Sequence, residues 1–580
     1  MSDQPAGECG LEEESVEPAV IEGAWSYSAN IVKLANQEIT VGKLRIQGRS
    51  ALNGRVCRYT TLLLGTTAMV CAGAAQAQTS NSSDDMSTLS FPEMFQKQVV
   101  EGSEVHGRVG FYDFRRWHDL NQPYPGQTSS QAKSGDNYNT ENTNFGAQIG
   151  ITTGRIYGFS SGAAFVYERG LYGNNAARTK LNCNLAGEGC APSGHTVANL
   201  TQFYLQFNAY GFQLRGGRQL INTPLAGADQ FTFLPRAFQG VSAVWRPLDT
   251  MDRMSYSGGG SAQTGGNGAQ VNKPSPDLNA NFETDQYLPF FGPGASAMTQ
   301  PEWQVFGAKI TKREARGTAD RFVDANRYLS NVNGFWSLGT SYRDVLSNGS
   351  QVVGQYYHYR FQQTESADYG EIGYMAPTIG SGAMAWAPYA RAQVVAAYNA
   401  DKNRIPDGIN SQIYGLKLGV QSGEVGFSIF GNFSPVHNGS FNHGQMLHPY
   451  TDLSGVIYTD TMNDGILEMG PGWAAGARID FTPTDNLAMY ARYVQYRAKY
   501  GHYHDFYFSG GSNNQITDAS FTGNEVRNQK SEGIGIGITY DLGGIYKQLA
   551  GLKIGDNLGI TKFDGAPNFY DNRIRFYYSF

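Results

Sequence analysis

From residue 105 onward the chain carries many runs of about ten residues in which apolar and polar positions alternate, the period of a β-strand whose two faces meet different surroundings. The last run is the clearest. Ile574, Phe576, Tyr578 and Phe580 share one face, and Arg573, Arg575, Tyr577 and Ser579 share the other. Tyr414, Leu416, Leu418 and Val420 alternate with Gly415, Lys417, Gly419 and Gln421, and Ile534, Ile536, Ile538 and Tyr540 alternate with glycines and Thr539. Trp336, Leu338 and Tyr342 stand against Ser337, Ser341 and Arg343; Phe203, Leu205 and Phe207 against Gln202, Tyr204, Gln206 and Asn208; Ala477, Ile479 and Phe481 against Arg478 and Asp480. One face suits lipid with an aromatic belt. The other, rich in Gly, Ser, Gln and Arg, suits a crowded aqueous interior.

Connections alternate in length as well. Thr152-Thr153-Gly154, Tyr210-Gly211, Ser422-Gly423-Glu424 and Pro483-Thr484-Asp485-Asn486 read as short turns. Arg116 to Asn144, Arg169 to Asn199, Ser257 to Gln300, Ser434 to Gly472 and Lys499 to Lys530 read as long loops, with Gly258 to Pro276 of low complexity. The pattern predicts an all-β fold: a transmembrane antiparallel β-barrel of 16–18 strands, 18 favoured because single-chain bacterial barrels are even-numbered and the length then allows about 28 residues per strand. All long loops are expected at one end, outside the cell, and all short turns at the other.

Composition narrows the alternatives. Charged residues are 16% of the chain, against ~25% in typical soluble proteins. Aromatics are 13%, and the mean hydropathy of −0.40 excludes a bundle of membrane helices. A secreted β-sandwich or β-helix shares much of this composition; the alternating aromatic strand that ends at Phe580 argues against it, since chain ends ordinarily fray. That terminal strand resembles the signal recognised by the bacterial barrel-assembly machinery. A net charge of −6 points to no nucleic-acid partner.

The N-terminal part is expected to be an export signal. Thr60 to Ala75 is apolar and small, follows Lys43, Arg45, Arg49, Arg55 and Arg58, and precedes the small-x-small pattern Ala75-Gln76-Ala77. Residues 41–77 therefore read as a signal peptide, 78–104 as a periplasmic lead and 105–580 as the barrel. Residues 1–40 are acidic, unlike the start of a signal peptide, and read as a start-site artefact with translation beginning near Val41. Cys183 and Cys190, seven apart in an exported loop, are expected to form a disulfide. His502-Tyr503-His504-Asp505 and the trio His437, His443 and His448 read as loop residues; no metal and no other cofactor is expected.

Phe203 to Asp249 resembles the OprD family of substrate-specific outer-membrane channels, in its order of strand, Gly-Arg-Gln, Thr-Pro, Leu-Pro and aromatic-x-Gly-Val. Val105 to Arg116 resembles that family's first strand, and Phe145 to Phe165 its Gly-rich second hairpin. The resemblance implies an 18-strand barrel, monomeric or homotrimeric, in the outer membrane of a Gram-negative bacterium. It implies that the loop Asn222 to Arg236 folds into the lumen as a constriction. It further implies a ladder of basic residues guiding carboxylate-bearing solutes.

Strand parity gives that ladder candidates: Arg108, Arg215, Arg246, Arg343, Arg360, Arg391, Lys417, Arg478, Arg492 and Arg575 are expected to face inward, because a cation on the lipid face costs ~2–4 kcal/mol at mid-membrane. Arg218 joins them only if a bulge intervenes after Arg215. Asp229 and Arg236 would supply opposing charges at the constriction or pin the loop to the wall. The expected function is a porin, not an enzyme: passive diffusion of small polar solutes, with organic acids, aromatic acids or amino acids favoured. Expected partners are small anionic solutes, outer-membrane lipid and lipopolysaccharide, and the assembly machinery acting on Phe580. The alternative is a barrel enzyme or adhesin that acts through its external loops.

Overall fold

The computed structural model describes residues 90–118, 140–173, 196–227, 235–248, 302–314, 322–326, 328–329, 331–381, 385–400, 404–405, 407–450, 456–461, 465–466, 470–501, 526–565 and 568–579. The expectations for residues 1–77, the Cys183/Cys190 pair, Asp229 and Phe580 lie outside these residues.

A short helical lead, one α-turn at Phe91–Met94 continuing into a π-turn at Phe95–Val100, precedes the first strand. Its start is a capping box: the Ser90 amide donates to Glu93 Oε2 at 2.9 Å and the Ser90 hydroxyl at 2.6 Å. These bonds hold the Glu93 carboxyl below the usual carboxylate range.

Five strands follow in order: β1 (Glu104–His118), β2 (Thr140–Thr152), β3 (Phe159–Gly173), β4 (Thr196–Ala209) and β5 (Phe212–Gln219). A two-residue hairpin, β6 (Asn222–Thr223) and β7 (Ala226–Gly227), stands apart before β8 (Phe238–Trp245) and β9 (Glu302–Glu314). The two-residue β10 (Phe322–Val323) extends the pairing at the end of β9. Then come β11 (Phe335–Val345), β12 (Gln351–Phe361), β13 (Glu365–Met375), β14 (Ala387–Asn399), β15 (Asn410–Gln421) and β16 (Val425–Ser434). The last five are β17 (Gly472–Thr484), β18 (Leu487–Gly501), β19 (Val526–Asp541), β20 (Leu552–Phe563) and β21 (Phe569–Ser579).

With β6, β7 and β10 set aside, 18 strands each pair antiparallel with the next, and β21 returns to β1 from Phe569↔His118 to Ser579↔Arg108. The cylinder is closed, so no strand edge is left with unpaired backbone groups. Among the described residues no helix is long and apolar enough to cross a membrane.

The expected alternation is realised. Leu205, Leu338, Ile372, Leu416, Ile429, Ile536 and their like point outward and are exposed, while Gln148, Gln206, Gln355, Gln393 and Asn432 are buried within. An apolar band of this extent on the outside of a closed cylinder needs lipid around it. Aromatic pairs rim it, among them Trp117 stacked on Tyr570 at 5.1 Å and Trp245 beside Trp303 at 6.2 Å.

One end carries most of the short turns, though the three-residue turn 362–364 between β12 and β13 lies at the other, against the expectation that all would share one end. The tightest, between β4 and β5, has Tyr210 at φ 51° and Gly211 at φ 75°, the two left-handed positions of a type I′ hairpin. A Cβ on Gly211 would lie 2.3 Å from the Arg246 carbonyl, so side-chain bulk is excluded there too. The opposite end carries the connections 119–139, 174–195, 220–237, 315–334, 435–471 and 502–525. The expectation that every long loop shares that end needs correction. Strands β8 and β9 meet at the short-turn end, as Trp245↔Val305 shows, so the connection containing Ser257 to Gln300 joins them there. Gly, Ser and Asn content identifies a loop, but only the direction of the flanking strands fixes its end.

Replacing Ile536, outward between Ile534 and Ile538, with lysine is expected to cost about 2–4 kcal/mol. A lowered unfolding midpoint in phospholipid vesicles checks it, with the inward Gln206→Lys as the milder comparison.

Candidate permeation pathway

Two connections from the long-loop end fold into the lumen. The first follows β5. Leu220, Ile221, Leu225 and Ala226 are fully buried in it, and the β6–β7 hairpin is closed by the Thr223 hydroxyl donating to the Ala226 carbonyl at 2.9 Å. The Leu225 amide donates to Tyr359 Oη on the wall at 3.3 Å. Arg236, at the loop's return, is buried.

The second runs from β16 to β17, and sequence reasoning placed it outside. Phe441, Met446, Leu447, Tyr450, Val456, Ile457 and Tyr458 in it are all buried. Ala226 pairs with Tyr450 in a parallel bridge, so the two loops support each other. The Tyr450 ring lies 4.7 Å from Phe335, 5.4 Å from Phe361 and 6.4 Å from Phe238, with the Arg313 guanidinium 5.9 Å above it. The signal for this loop was its apolar content, which a freely solvated loop has no reason to carry.

Deeper in, residues 456–459 dock on a polar row of the wall. Gln393 Nε2 donates to the Val456 carbonyl at 2.8 Å and Gln393 Oε1 accepts from the Tyr458 amide at 3.0 Å. Asn432 Oδ1 accepts from the Thr459 amide at 3.0 Å, and the Tyr496 hydroxyl donates to the Thr459 carbonyl at 2.6 Å. Gly415 lies between the two amides; a Cβ there would meet Asn432 Nδ2 at 2.4 Å and Gln393 Cγ at 2.6 Å.

Glu371 is the hub. It accepts from the Tyr458 hydroxyl at 2.6 Å, Gln355 at 2.6 Å and Tyr369 at 3.1 Å, and pairs with Arg391. Burial first, and the Glu371 charge next, push the Tyr458 phenol well above its ordinary range, so it remains a donor.

Beside this lock a row of cations crosses neighbouring strands. Arg391 faces Lys417 across β14 and β15, and Arg478 faces Arg492 across β17 and β18. Arg391 is bound to Glu371, and Arg478 to Asp480 at 2.8 Å. Arg492 donates to the Tyr458 carbonyl. Lys417 makes no hydrogen bond or ion pair with any described residue; the Phe430 ring stands 5.8 Å from its Nζ. Four cations and two carboxylates leave a formal surplus of two positive charges here.

Of the remaining inward cations, Arg108, Arg215, Arg246 and Arg343 lie near the short-turn ends of their strands. Arg108 donates from Nε to Gln148 at 3.1 Å, and Arg215 to Gln206 at 2.8 Å over the Tyr204 ring at 4.2 Å. Arg246 and Arg343 are buried on the inward side, as is Arg575. Three further inward cations were not singled out in the sequence: Lys553 near a short turn, and Arg313 and Arg573 toward the long-loop end, the last paired with Asp571 at 2.7 Å.

Two expected lumen residues stand elsewhere. Arg218 is directly opposite the outward Phe203, reaches the Leu200 carbonyl at 3.1 Å and lies over the Phe322 ring at 4.4 Å. Gly217, at φ 127°, distorts the strand beside it without turning Arg218 inward. Arg360 shares the outward face of β12 with Tyr356 and His358, opposite Trp336. The inward positions of β12 are Tyr357, Tyr359 and Phe361, which look like a lipid face and instead pack the infolded loops. Arg360 is tolerated outside because it is one residue from the end of its strand, at the wet rim.

Solved structures share this architecture. OpdK of Pseudomonas aeruginosa, determined with vanillate, is 12% identical with a TM-score of 0.52, over 83% of this chain and 99% of that one. OccK8 (OprE) of the same organism is 10% identical with a TM-score of 0.53, again over 83% and 99%. A BenF-like porin from Pseudomonas fluorescens Pf-5 is 11% identical with a TM-score of 0.53, over the same shares. No family model and no curated protein sequence matches the chain. The common property is the fold, that of the 18-strand OprD/Occ porin barrel.

Tyr450→Ala empties an aromatic pocket and is expected to cost about 3–5 kcal/mol of loop docking, read as faster proteolysis within 435–471. Docking through neutral Tyr458 is fully present below the ordinary tyrosine pKa of about 10 and is lost as pH rises above it. Protease sensitivity of this loop is therefore expected to stay flat from neutral pH to about pH 9 and to climb beyond about pH 10, less steeply in Tyr458→Phe.

Proposed function

We propose that the protein is an outer-membrane channel that lets small polar solutes diffuse across, favouring those with a carboxylate. The observation that carries this reading is Lys417, the member of the cation row left without a hydrogen-bonded or ion-paired partner among the described residues, beside the infolded loops. A charge in a narrow, partly dehydrated passage acts more strongly than in open water: two unit charges 4 Å apart interact by about 4 kcal/mol at an effective dielectric near 20. Paired Arg391 and Arg478 offer a passing anion less, because their carboxylates already answer them.

The Phe430 ring, 5.8 Å from Lys417 and 4.8 Å from the Arg492 guanidinium, gives an aromatic acid an apolar neighbour for its ring. The vanillate in the OpdK structure, an aromatic carboxylate, belongs to the same class. On this reading the long-loop end faces outside, the chain is exported by residues 41–77, and the Cys183–Cys190 disulfide braces an external loop. Asp229 and Arg236 belong to the constriction, and Phe580 to the assembly signal.

Reconstituted in liposomes, the protein should pass benzoate-like and small aliphatic acids faster than neutral sugars of equal size. Lys417→Gln should reduce that preference severalfold while leaving sugar flux nearly unchanged. Equal rates for acids and sugars in the unmodified protein would defeat the carboxylate preference.

A further inference from the structure

Several outward-facing ions near the long-loop end are paired. Arg115 is bound to Asp113 at 2.8 Å, and His358 to Asp368 at 2.8 Å, with Tyr356 donating to the same carboxylate at 2.6 Å. The arc formed by β17 to β20 differs. Its outward rows can be read from the register. Tyr493, Ile534 and Ile560 face one another in sequence across β18, β19 and β20 and form the upper margin of the apolar belt. One step above come Gln495, Glu532 and Lys562. One step above that come Trp473, Arg497 and Lys530, and Lys499 follows on β18.

Among the described residues, four cations thus crowd one carboxylate, Glu532, directly over hydrocarbon. The next acid among the described residues is Asp564, in the turn beyond β20, whose amide donates to the Lys530 carbonyl. Arg497 and Lys530 are direct cross-strand partners of like charge, an arrangement that destabilises a sheet unless an anion lies between the two. Nη1 of Arg497 is enclosed and has no hydrogen-bond partner among the described residues. Trp473 beside it is exposed, as an indole at a membrane interface is.

We propose that this patch binds the phosphate headgroup of a phosphorylated glycolipid in the outer leaflet, with the lipid's acyl chains lying along Ile534, Ile536, Ile538, Leu558 and Ile560. Arg497 and Lys530 clamp the phosphate between them, Lys499 and Lys562 flank it, and Trp473 lies against the sugar. Charge and depth agree: the cations begin where the apolar rows stop, which is where a lipid's phosphate meets its chains. The site rests on the barrel's standing in an outer membrane and not on what crosses the lumen.

The test uses the full-length protein in detergent, mixed with bisphosphorylated lipid A and read by native mass spectrometry. The unmodified protein should retain lipid A. Retention should fall about tenfold or more in the double variant Arg497→Gln/Lys530→Gln, and likewise for dephosphorylated lipid A. Lys309→Gln, an outward cation on β9, should retain lipid as the unmodified protein does. Single-channel conductance of each variant reports intact folding and tests the channel reading separately. Undiminished retention by a conducting double variant overturns the site, as does equal retention of phosphatidylglycerol. Loss of conductance with phosphate-dependent retention intact would count against the channel and leave the site standing.

Discussion

The structure depends on the need to pair every backbone amide and carbonyl where no water can serve them. A cylinder in which each strand bonds to two neighbours meets that need without an edge. Closure through β21 and β1 is therefore the contact on which the rest hangs, and it is made by the strand with the plainest alternation in the chain. Once closed, the pleat leaves each side chain two choices, lipid or lumen. The sequence must then honour a period of two over 18 strands.

Exceptions to that period come with their own partners. On β20 the outward positions are Leu552, Ile554, Asp556, Leu558 and Ile560, so Asp556 stands in the middle of an apolar column. Asn572 on the adjoining strand donates to it at 2.7 Å. Asp113 on β1 likewise takes the Thr143 hydroxyl at 2.6 Å and Arg115 at 2.8 Å. Each carboxylate exposed to hydrocarbon is held by a neighbour on the same face, which lowers the cost of placing a charge there.

This explains how far the sequence could be read. Alternation alone placed Arg108, Arg215, Arg391, Lys417, Arg478 and Arg492 on the inner face, because their neighbours in sequence are apolar and the lipid admits little else. It misplaced Arg360, whose strand has aromatic residues on the side that faces protein. Period two separates faces but does not say which is wet; Tyr357, Tyr359 and Phe361 would suit lipid as well as they suit Tyr450. The wall partners Glu371, Gln393 and Asn432 were beyond reach for a related reason. They matter through contacts with residues 456–459, and no local rule connects a strand to a loop so distant in sequence.

The loops also decide which cations remain available. An 18-strand cylinder is wide, and a cation on its wall would be screened by water within ~8–10 Å. Folding two loops inward narrows the passage, but their docking draws on the same polar groups. The Tyr458 carbonyl occupies Arg492, and the Tyr458 hydroxyl helps to hold Glu371 against Arg391. Lys417 is thus left uncommitted because the loop takes Arg492 and helps to hold Glu371 on Arg391, while Asp480 on the wall takes Arg478. Selectivity in such a barrel is written as much in what the loop consumes as in what the wall supplies.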